Sequence, residues 1–493
     1  MKPIPLPLLS TSLSRRATAL LAAGALSTLL PACSLAPKYE RPAAPVAADF
    51  PTTPAAADGK GAPPPAADAK SAVDTGWREF FPDGRLQALI ATALENNRDL
   101  RTAALRIEEA RAAYRVTRAD RLPTVNAALS GTRARTPGFL NPATGQPSIG
   151  ERFDAGLSIS AFELDFFGRV RSLSEAALAT YLASDEARQA AQISIVTEVA
   201  KAYFTERAFA EQLALAQRTY EARRRTFELT RQQLDAGASS LLDLRSNETL
   251  METARAAALA LARQRAQAAN ALTLLVGAPP AQPADTAPPM ADDARIDAMS
   301  AVPAGLPSDL ITRRPDIRAA EQRLIAANAN IGAARAAFFP RISLTAAIGS
   351  ASPEFSQLFD GGNDTWSFVP QLTLPIFDAG RNRANLTLSE VRKNIAVADY
   401  ERTIQAAFRE VADALAARSY LGDQVAAQRA IQDAQAERLR LLTLRFENGV
   451  ASSLDVLDAQ RELFSAEQEL VQARLLRTTS AIDLYRALGG GLR

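Results

Sequence analysis

The side chains that most often perform acid–base, metal or covalent chemistry are scarce in this chain. Its 493 residues contain no histidine and one cysteine. Histidine-based proton transfer, a Ser-His-Asp triad and most zinc sites are therefore excluded. The 56 basic and 54 acidic residues nearly cancel, so no basic surface for nucleic acid is indicated. We expect no catalytic residue, no metal and no cofactor.

The single cysteine, Cys33, follows a stretch that is typical of an export signal. Residues 17–32 are uncharged and mostly apolar and follow a basic start, but they are too few for a membrane-spanning helix. The sequence Leu30-Pro31-Ala32-Cys33 resembles a bacterial lipobox, whose cysteine is lipidated after cleavage. We interpret residues 1–32 as a signal peptide and Cys33 as the lipidation site, with Ser34 after it favouring the outer membrane. An ordinary signal peptide with an incidental cysteine is the alternative.

The same long pattern occurs twice in the chain. Asp99-Leu100-Arg101 recurs as Asp316-Ile317-Arg318, 217 residues later, and Gly237 recurs as Gly449, 212 residues later. The offset changes once, within a region where loops tolerate deletion. A register held over so many positions indicates an internal two-fold repeat. The predicted organisation is an Ala/Pro-rich tether at 33–76, repeat one at 77–277, a linker at 278–304 and repeat two at 305–493.

Each repeat is predicted to contain a helix, a β-hairpin, a very long helix and a return helix. Apolar and polar residues alternate in four stretches, as they do in strands with one apolar face. These stretches are 125–130, 153–161, 342–348 and 366–376, the last weakened by Pro370.

The predicted long helices are 169–236, without Gly or Pro, and 381–448, with only Gly422. Each would extend roughly 100 Å. Heptad-like spacing from Leu388 to Ala398 and again from Ile404 to Leu415 favours coiling. The basic run 223–225 lies in this pattern and is interpreted as a solvated helix face.

Four amphipathic strands cannot form a closed sheet by themselves. A sheet in lipid must close into a barrel, and closure requires at least about eight strands, so more than one chain must contribute. Aromatic residues flank the predicted strands in two groups, as in the girdles of membrane barrels. A soluble sandwich with these aromatics in its core is the alternative. The predicted membrane-interface aromatics are Phe166, Phe167, Phe338, Phe339, Trp366 and Phe377.

Several stretches together resemble the TolC-like outer-membrane efflux proteins, in the OprM-type (NodT) lipoprotein branch. The resemblance runs from Cys33 to about Leu488. The matching stretches are Pro37-Lys38-Tyr39-Glu40-Arg41-Pro42, Trp77 with Phe80-Phe81, Asp99-Leu100-Arg101, Leu306-Pro307-Ser308-Asp309-Leu310, Arg313-Arg314-Pro315-Asp316, Ala334-Arg335-Ala336-Ala337-Phe338-Phe339-Pro340, Leu374-Pro375-Ile376-Phe377-Asp378 and Leu457-Asp458-Ala459-Gln460.

The resemblance implies an α+β membrane protein that assembles as a homotrimer. Each protomer would give four strands to an outer-membrane β-barrel, which continues into a periplasmic α-helical barrel. The expected partners are a periplasmic adaptor (membrane fusion) protein, an inner-membrane pump of the RND type and outer-membrane lipid. The expected location is the cell outer membrane, with a lipid anchor and an extension into the periplasm.

The resemblance also implies roles for residues near the two predicted helical turns. Leu454 and Asp458 match positions that close the periplasmic end of the tunnel, and Arg445 matches one whose charge latches it. Ser246 stands in repeat one where repeat two has Asp458, so an acidic ring would come from repeat two alone. Adaptor docking is expected at the turns themselves, at Ala238, Ser239, Ser240, Val450, Ala451 and Ser452.

The function expected from these features is a passive duct for drugs or other small toxic compounds. A duct for protein secretion is the alternative within the family. Outside it, the alternatives are a non-channel periplasmic coiled-coil lipoprotein and an enzyme that uses carboxylate chemistry.

Overall fold

The computed structural model describes residues 34–51, 71–140, 145–279, 299, 303 and 307–492. The signal peptide, Cys33, residues 52–70 of the predicted tether and most of the predicted linker lie outside these residues. The helices and strands, in chain order, are α1 Trp77–Phe80, α2 Gly84–Asn96, α3 Arg98–Ala119, β1 Val125–Thr136, β2 Ser148–Glu163, α4 Arg169–Asp235, α5 Leu241–Val276, α6 Pro307–Arg313, α7 Pro315–Ala336, β3 Arg341–Ser352, β4 Asp364–Thr373, α8 Arg381–Glu447 and α9 Ser453–Ala487.

The order helix, hairpin, long helix and return helix occurs in both halves of the chain. The two long helices, α4 and α8, each contain 67 residues. The prediction of two very long helices from the scarcity of Gly and Pro is therefore confirmed. Gly168 and Gly380 precede them with positive φ angles of 72° and 86°, a backbone conformation that glycine adopts readily. Gly422 lies inside α8 without ending it.

The four strands form one antiparallel sheet in the order β1-β2-β3-β4. β4 ends at Thr373, so the prediction that Leu374 and Ile376 extend this strand is wrong. Pro370 lies within β4 and pairs with Leu344. Because β4 is an edge strand, one of its sides makes no ladder bonds within the sheet, and proline is tolerated there.

The chain divides into two compact units, and each contains segments from both halves. The first unit holds the sheet with the adjoining ends of α3, α4, α7 and α8. Its helices meet through small side chains, where Ala176 and Ala179 of α4 pack against Ala326 and Ala329 of α7. Small residues allow two helix backbones to approach closely.

The second unit has a core of aromatic side chains. The ring of Tyr485 stacks on Phe80 with centroids 3.9 Å apart, and Phe81 meets the same ring edge-on. The hydroxyl of Tyr485 donates to the carbonyl of Thr75 at 2.6 Å. Both the apolar ring and the polar oxygen are thus accommodated in the buried position.

Apolar spacing along α8 does not predict burial equally well along the whole helix. Ile404 and Val411 are buried, whereas Leu388, Val391 and Ile395 are about half exposed. The exposed positions belong to the first unit and the buried ones to the second. The same heptad-like pattern therefore packs within the chain in one unit and presents an apolar stripe in the other. Among the described residues, no helix has the length and apolarity needed to cross a membrane.

Candidate functional site

Each long helix is joined to its return helix by one turn, and these two turns have the same local structure. At the first turn, the amide of Ala238 donates to the carbonyl of Gln233 at 2.7 Å, and Gly237 has φ 73°. At the second, the amide of Val450 donates to the carbonyl of Arg445 at 2.8 Å, and Gly449 also has φ 73°. This is the Schellman end of a helix, which requires a left-handed residue and so favours glycine.

Each return helix then begins with a reciprocal cap. The hydroxyl of Ser240 accepts a hydrogen bond from the backbone amide of Asp243, and the hydroxyl of Ser452 accepts one from the backbone amide of Asp455. In return, the carboxylate of each aspartate accepts a hydrogen bond from the backbone amide of the serine that caps its helix. Hydrogen bonds from Ser452 hold the pKa of Asp455 below its usual range. A carboxylate in the first turn also interacts favourably with the positive end of the helix.

The turns expose small side chains. Ala238 and Ser240 are exposed at the first turn, and Val450 and Ser452 at the second, while Ser239 and Ala451 are partly exposed. These residues were predicted from the sequence as the docking turns. A direct bond joins the two turns, because the hydroxyl of Ser453 donates to a carboxylate oxygen of Asp243 at 2.9 Å.

Two of the three predicted gate residues, Leu454 and Asp458, lie on the first two turns of α9. Leu454 exposes 70% of its surface, and its counterpart Leu242 on α5 exposes 76%. One turn further along α9, the carboxylate of Asp458 accepts from Arg438 of α8 at 3.1 Å and from Arg461 of α9 at 2.6 Å. The sequence-based prediction of a carboxylate ring did not include these arginines. The acidic position is charge-compensated within one protomer.

Arg445 is exposed near the end of α8. Its backbone carbonyl closes the second turn by accepting from Val450. Its guanidinium contributes to the lowered pKa of Asp455, after the larger effect of Ser452. Arg445 is therefore close enough to the cap of α9 for its charge to act on Asp455.

Arg223 does not lie on a solvated helix face as the sequence predicted. It is buried, with 4% exposure, whereas Arg224 and Arg225 are exposed. Its guanidinium donates to the carbonyl of Leu250 at 3.0 Å and to that of Gln460 at 3.5 Å, and it lies over the ring of Phe464. Arg223 thus joins α4 to both return helices. Three consecutive arginines on one helix cannot all share a face, and spacing alone does not reveal which is buried.

A second cluster of polar residues lies where the strands meet the helices. The carboxylate of Glu163, a partly buried residue, binds Arg169 with both oxygens, at 2.8 and 2.7 Å, and also pairs with Arg341 at 2.7 Å. Asp165 caps α4 by accepting from the amide of Arg171, and Asp378 caps α8 by accepting from the amide of Asn382. These contacts enclose part of a cavity of about 320 Å³.

The predicted interface aromatics lie at both ends of the strands. Phe167 stacks on Phe339 at 4.8 Å beside the cavity. Phe166 and Phe338 are exposed, and Phe377 is 90% exposed. Trp366, near the start of β4, is 77% exposed. Large apolar side chains so exposed on one chain indicate a surface that contacts lipid or another chain.

Known proteins are similar to this chain in sequence and in the order of their elements. The family model described as outer membrane efflux protein matches residues 89–278 and 306–490. This chain belongs to the outer membrane efflux protein family. The two matched segments correspond closely to the two halves that share one order of helices and strands.

Curated relatives of this efflux protein cover nearly the whole chain. It is 49% identical over 463 residues to the probable efflux pump outer membrane protein TtgC of Pseudomonas putida, which spans 94% of this chain and 93% of the relative. It is also 49% identical to outer membrane protein OprJ of Pseudomonas aeruginosa, with 94% of each chain covered.

Solved structures show the same fold. A membrane protein from Pseudomonas aeruginosa matches with a TM-score of 0.83 at 47% identity, covering 92% of this chain and all of that one. The open state of the Neisseria gonorrhoeae MtrE outer membrane channel matches with a TM-score of 0.81 at 41% identity, covering 94% and 99%. The efflux protein is therefore an outer-membrane component of an efflux system with a TolC-like channel fold.

Proposed function

We propose that this efflux protein is a trimeric, passive channel that conducts small toxic compounds from an inner-membrane pump and its adaptor to the exterior. The observation that carries this proposal is the state of the sheet edges. β1 and β4 each pair on one side only, and every residue of β4 is exposed. Three such sheets would supply twelve strands, enough for a closed membrane barrel.

The helices beside the sheet support shared assembly. No residue of α3, which lies wholly within the described part of the chain, is buried. Together with the exposed stripe of Leu388, Val391 and Ile395 on α8, it leaves large helical faces uncovered. A second copy of the chain covers such faces in the proposed assembly.

The substrate class follows from the relatives. TtgC of one Pseudomonas putida strain is named a toluene efflux pump outer membrane protein, and ArpC an antibiotic efflux pump outer membrane protein. These names favour small drugs and solvents over secreted proteins. The proposed partners are a periplasmic adaptor and an RND-type pump, and the proposed location is the outer membrane with the helices in the periplasm.

Two measurements test this proposal. The mass of the detergent-solubilised protein should correspond to three chains, and the trimer should give discrete conductance steps in a planar bilayer. A periplasmic coiled-coil lipoprotein would give no such steps. Cells that carry the matching pump should export a small drug but not a secreted protein. This result would distinguish a drug efflux channel from a duct for protein secretion.

We expect Cys33→Ser to abolish incorporation of radioactive palmitate. The cysteine is the only one in the chain and follows a lipobox-like sequence, so no other side chain can accept the same thioether-linked lipid. Labelling of the wild-type and Cys33→Ser proteins in the same host measures this. Equal labelling of the two proteins would contradict lipidation, and trimer formation should persist because the sheet does not depend on the anchor.

We expect Ala451→Arg to abolish drug export while trimer yield stays normal. Ala451 lies in the exposed second turn, where the proposed adaptor would pack closely, and a long charged side chain would hold it away. The first-turn change Ala238→Arg should act in the same way. Ala222→Arg, at an exposed helical position of α4 outside the turns, is the matched control. Normal export with Ala451→Arg would place docking elsewhere.

A further inference from the structure

The four-stranded sheet has one apolar and one polar face. Leu157 of β2 pairs with Ile348 of β3, which also pairs with Trp366 of β4, so these three side chains share one face. All three are exposed, and the opposite face carries polar residues such as Ser158 and Ser367. In a membrane barrel the apolar face contacts lipid and the polar face lines the interior. The face that carries Leu157, Ile348 and Trp366 is called the lipid face below.

Two arginines near the end of β1 belong to the lipid face. Ala127 of β1 pairs with Leu157 and therefore lies on this face. Because side chains alternate along a strand, Arg133 and Arg135, six and eight residues further along β1, lie on it as well. Both arginines are exposed. Arginine on the lipid face of a barrel is costly at the membrane midplane and is tolerated near a membrane boundary.

The length of β1 places the two arginines at such a boundary. A tilted strand crosses the apolar core of a bilayer in about 9–11 residues. Counted from Val125, the first residue of β1, this length ends between Arg133 and Arg135. The other end of β1 adjoins α3, and the helices are proposed to lie in the periplasm. The arginines therefore belong to the outer boundary of the membrane.

Apolar side chains lie beside the arginines on the same face. Phe153 of β2 pairs with Gly131, and its ring lies so close that a Cβ atom at residue 131 would be 3.0 Å from it. The glycine thus leaves room for the aromatic ring over β1, two residues before Arg133. Ile149, opposite Arg135, is 61% exposed. Cationic and apolar groups next to each other suit an amphiphilic ligand.

The positive charge of this surface is only partly neutralised. Arg133 pairs with Glu151 at 3.0 Å, and the two side chains remain 73% and 42% exposed, so the pair contributes little to stability. Within the described part of the chain, the guanidinium of Arg135 has no ion-pair partner. Asp364, which is also on the lipid face, lies on β4, three strands away, at roughly 14 Å. One positive charge thus remains uncompensated on β1.

We propose that Arg133 and Arg135 bind a phosphate group of the phosphorylated glycolipid that forms the outer leaflet of bacterial outer membranes, while Phe153 and Ile149 contact its acyl chains. This inference rests on the proposed placement of the sheet in the outer membrane. Residues two apart on a strand have Cα atoms about 7 Å apart, so both long side chains can reach one phosphate. Arginine binds phosphate through paired N–H donors, and a low local dielectric strengthens these bonds.

Native mass spectrometry of the full-length protein in detergent tests the site. The probe is a lipopolysaccharide with two lipid phosphates and no O-polysaccharide, added at increasing concentration. We expect Arg135→Gln to weaken its binding about fivefold and the double variant Arg133→Gln with Arg135→Gln roughly tenfold or more, because each arginine near an anionic lipid surface contributes separately. Since Arg135 has no ion-pair partner among the described residues, its replacement should leave folding and assembly unchanged.

Arg152→Gln is the matched control. Arg152 lies on β2 at the level of Arg133 but on the polar face, where it binds Asp154. It should bind the glycolipid as the wild type does. Equal affinity of the wild type and the double variant, or the same loss in Arg152→Gln, would overturn the proposed site.

Related probes identify the ligand. The same glycolipid without its phosphates should bind the wild type and the double variant equally weakly. Phosphatidylglycerol should bind the wild type more weakly than the glycolipid does, and an excess of inorganic phosphate should not displace the glycolipid. Preference for phosphatidylglycerol, or displacement by phosphate, would overturn the assignment to the outer leaflet. A wild-type protein that is monomeric and gives no conductance steps would instead overturn the proposed function.

Discussion

Replacing Leu454 by Ala is expected to raise the single-channel conductance or the open time of the channel several-fold. Leu454 is 70% exposed at the start of α9, and in a trimer three copies would form an apolar ring. An apolar constriction closes a pore by resisting wetting. Shortening the side chain to a methyl group widens the ring and removes most of that apolar surface. Conductance of the purified trimer in a planar bilayer measures the effect.

Leu242→Ala is the matched control for this prediction. Leu242 occupies the equivalent position on α5 and is 76% exposed. The family resemblance assigns the constriction to the second turn, so this variant should conduct like the wild type. Wild-type behaviour of Leu454→Ala, or an equal change in both variants, would remove Leu454 from a specific gating role.

The same recordings test Asp458, whose surroundings change the expected result. From the sequence, three free carboxylates would attract divalent cations, and Asp458→Ala would relieve their block. Because Arg438 and Arg461 bind both carboxylate oxygens, the ring carries little net negative charge. Removing Asp458 leaves Arg438 without this carboxylate and Arg461 paired with Glu462, so the charge at this level becomes one unit more positive per protomer. We therefore expect the selectivity to shift towards anions, and unchanged selectivity would argue that Asp458 lies outside the conducting path.

The second large effect is expected at Arg314, in the second unit. Its guanidinium binds Asp316 through Nη2 at 2.6 Å, Glu410 at 2.9 Å and the carbonyl of Ala487 at 2.9 Å. Burial by itself would lower the pKa of Arg314, but the bonds to Asp316 and Glu410 raise it. One side chain thus ties α7, α8 and the end of α9 together.

Arg314→Ala should destabilise the protein by about 3 kcal/mol, because it leaves Asp316 without its cation and Glu410 with only the longer pair to Arg486, at 3.6 Å, in a partly buried place. Both carboxylates remain about one third exposed, which keeps the expected cost at the lower end of the range for buried pairs. Thermal unfolding of the detergent-solubilised protein, followed by circular dichroism at one scan rate, measures the change.

Arg313→Ala is the control for Arg314. Arg313 is exposed, and within the described part of the chain its side chain donates one hydrogen bond, to the hydroxyl of Ser71. Replacing Arg313 by Ala should therefore cost less than about 0.5 kcal/mol. A melting temperature for Arg314→Ala that matches the Arg313→Ala control would contradict a structural role for the three bonds.

Local chemistry was sufficient to predict the helices, the turns and most of the strand positions. The absence of Gly and Pro from 169–236 predicted a helix that the structure places at Arg169–Asp235. Gly237 and Gly449 predicted the turns, since a left-handed residue is needed at a Schellman end. Alternating side chains predicted β1 to β4 because period two is a property of the strand itself. The end of β4 was predicted incorrectly because apolar alternation continues past Thr373, where pairing stops.

Only the tertiary structure decided which charged residues are buried and what they bind. Arg223, Arg224 and Arg225 are chemically identical, and burial of Arg223 alone depends on where α5 and α9 pack against α4. The partner of Asp458 on α8 is Arg438, 20 residues earlier in the chain. The two residues meet because α8 and α9 form a helical hairpin. Sequence periodicity predicts which side chains share one face of a helix, whereas packing decides which other elements contact that face. The net charge near the predicted gate depends on those contacts.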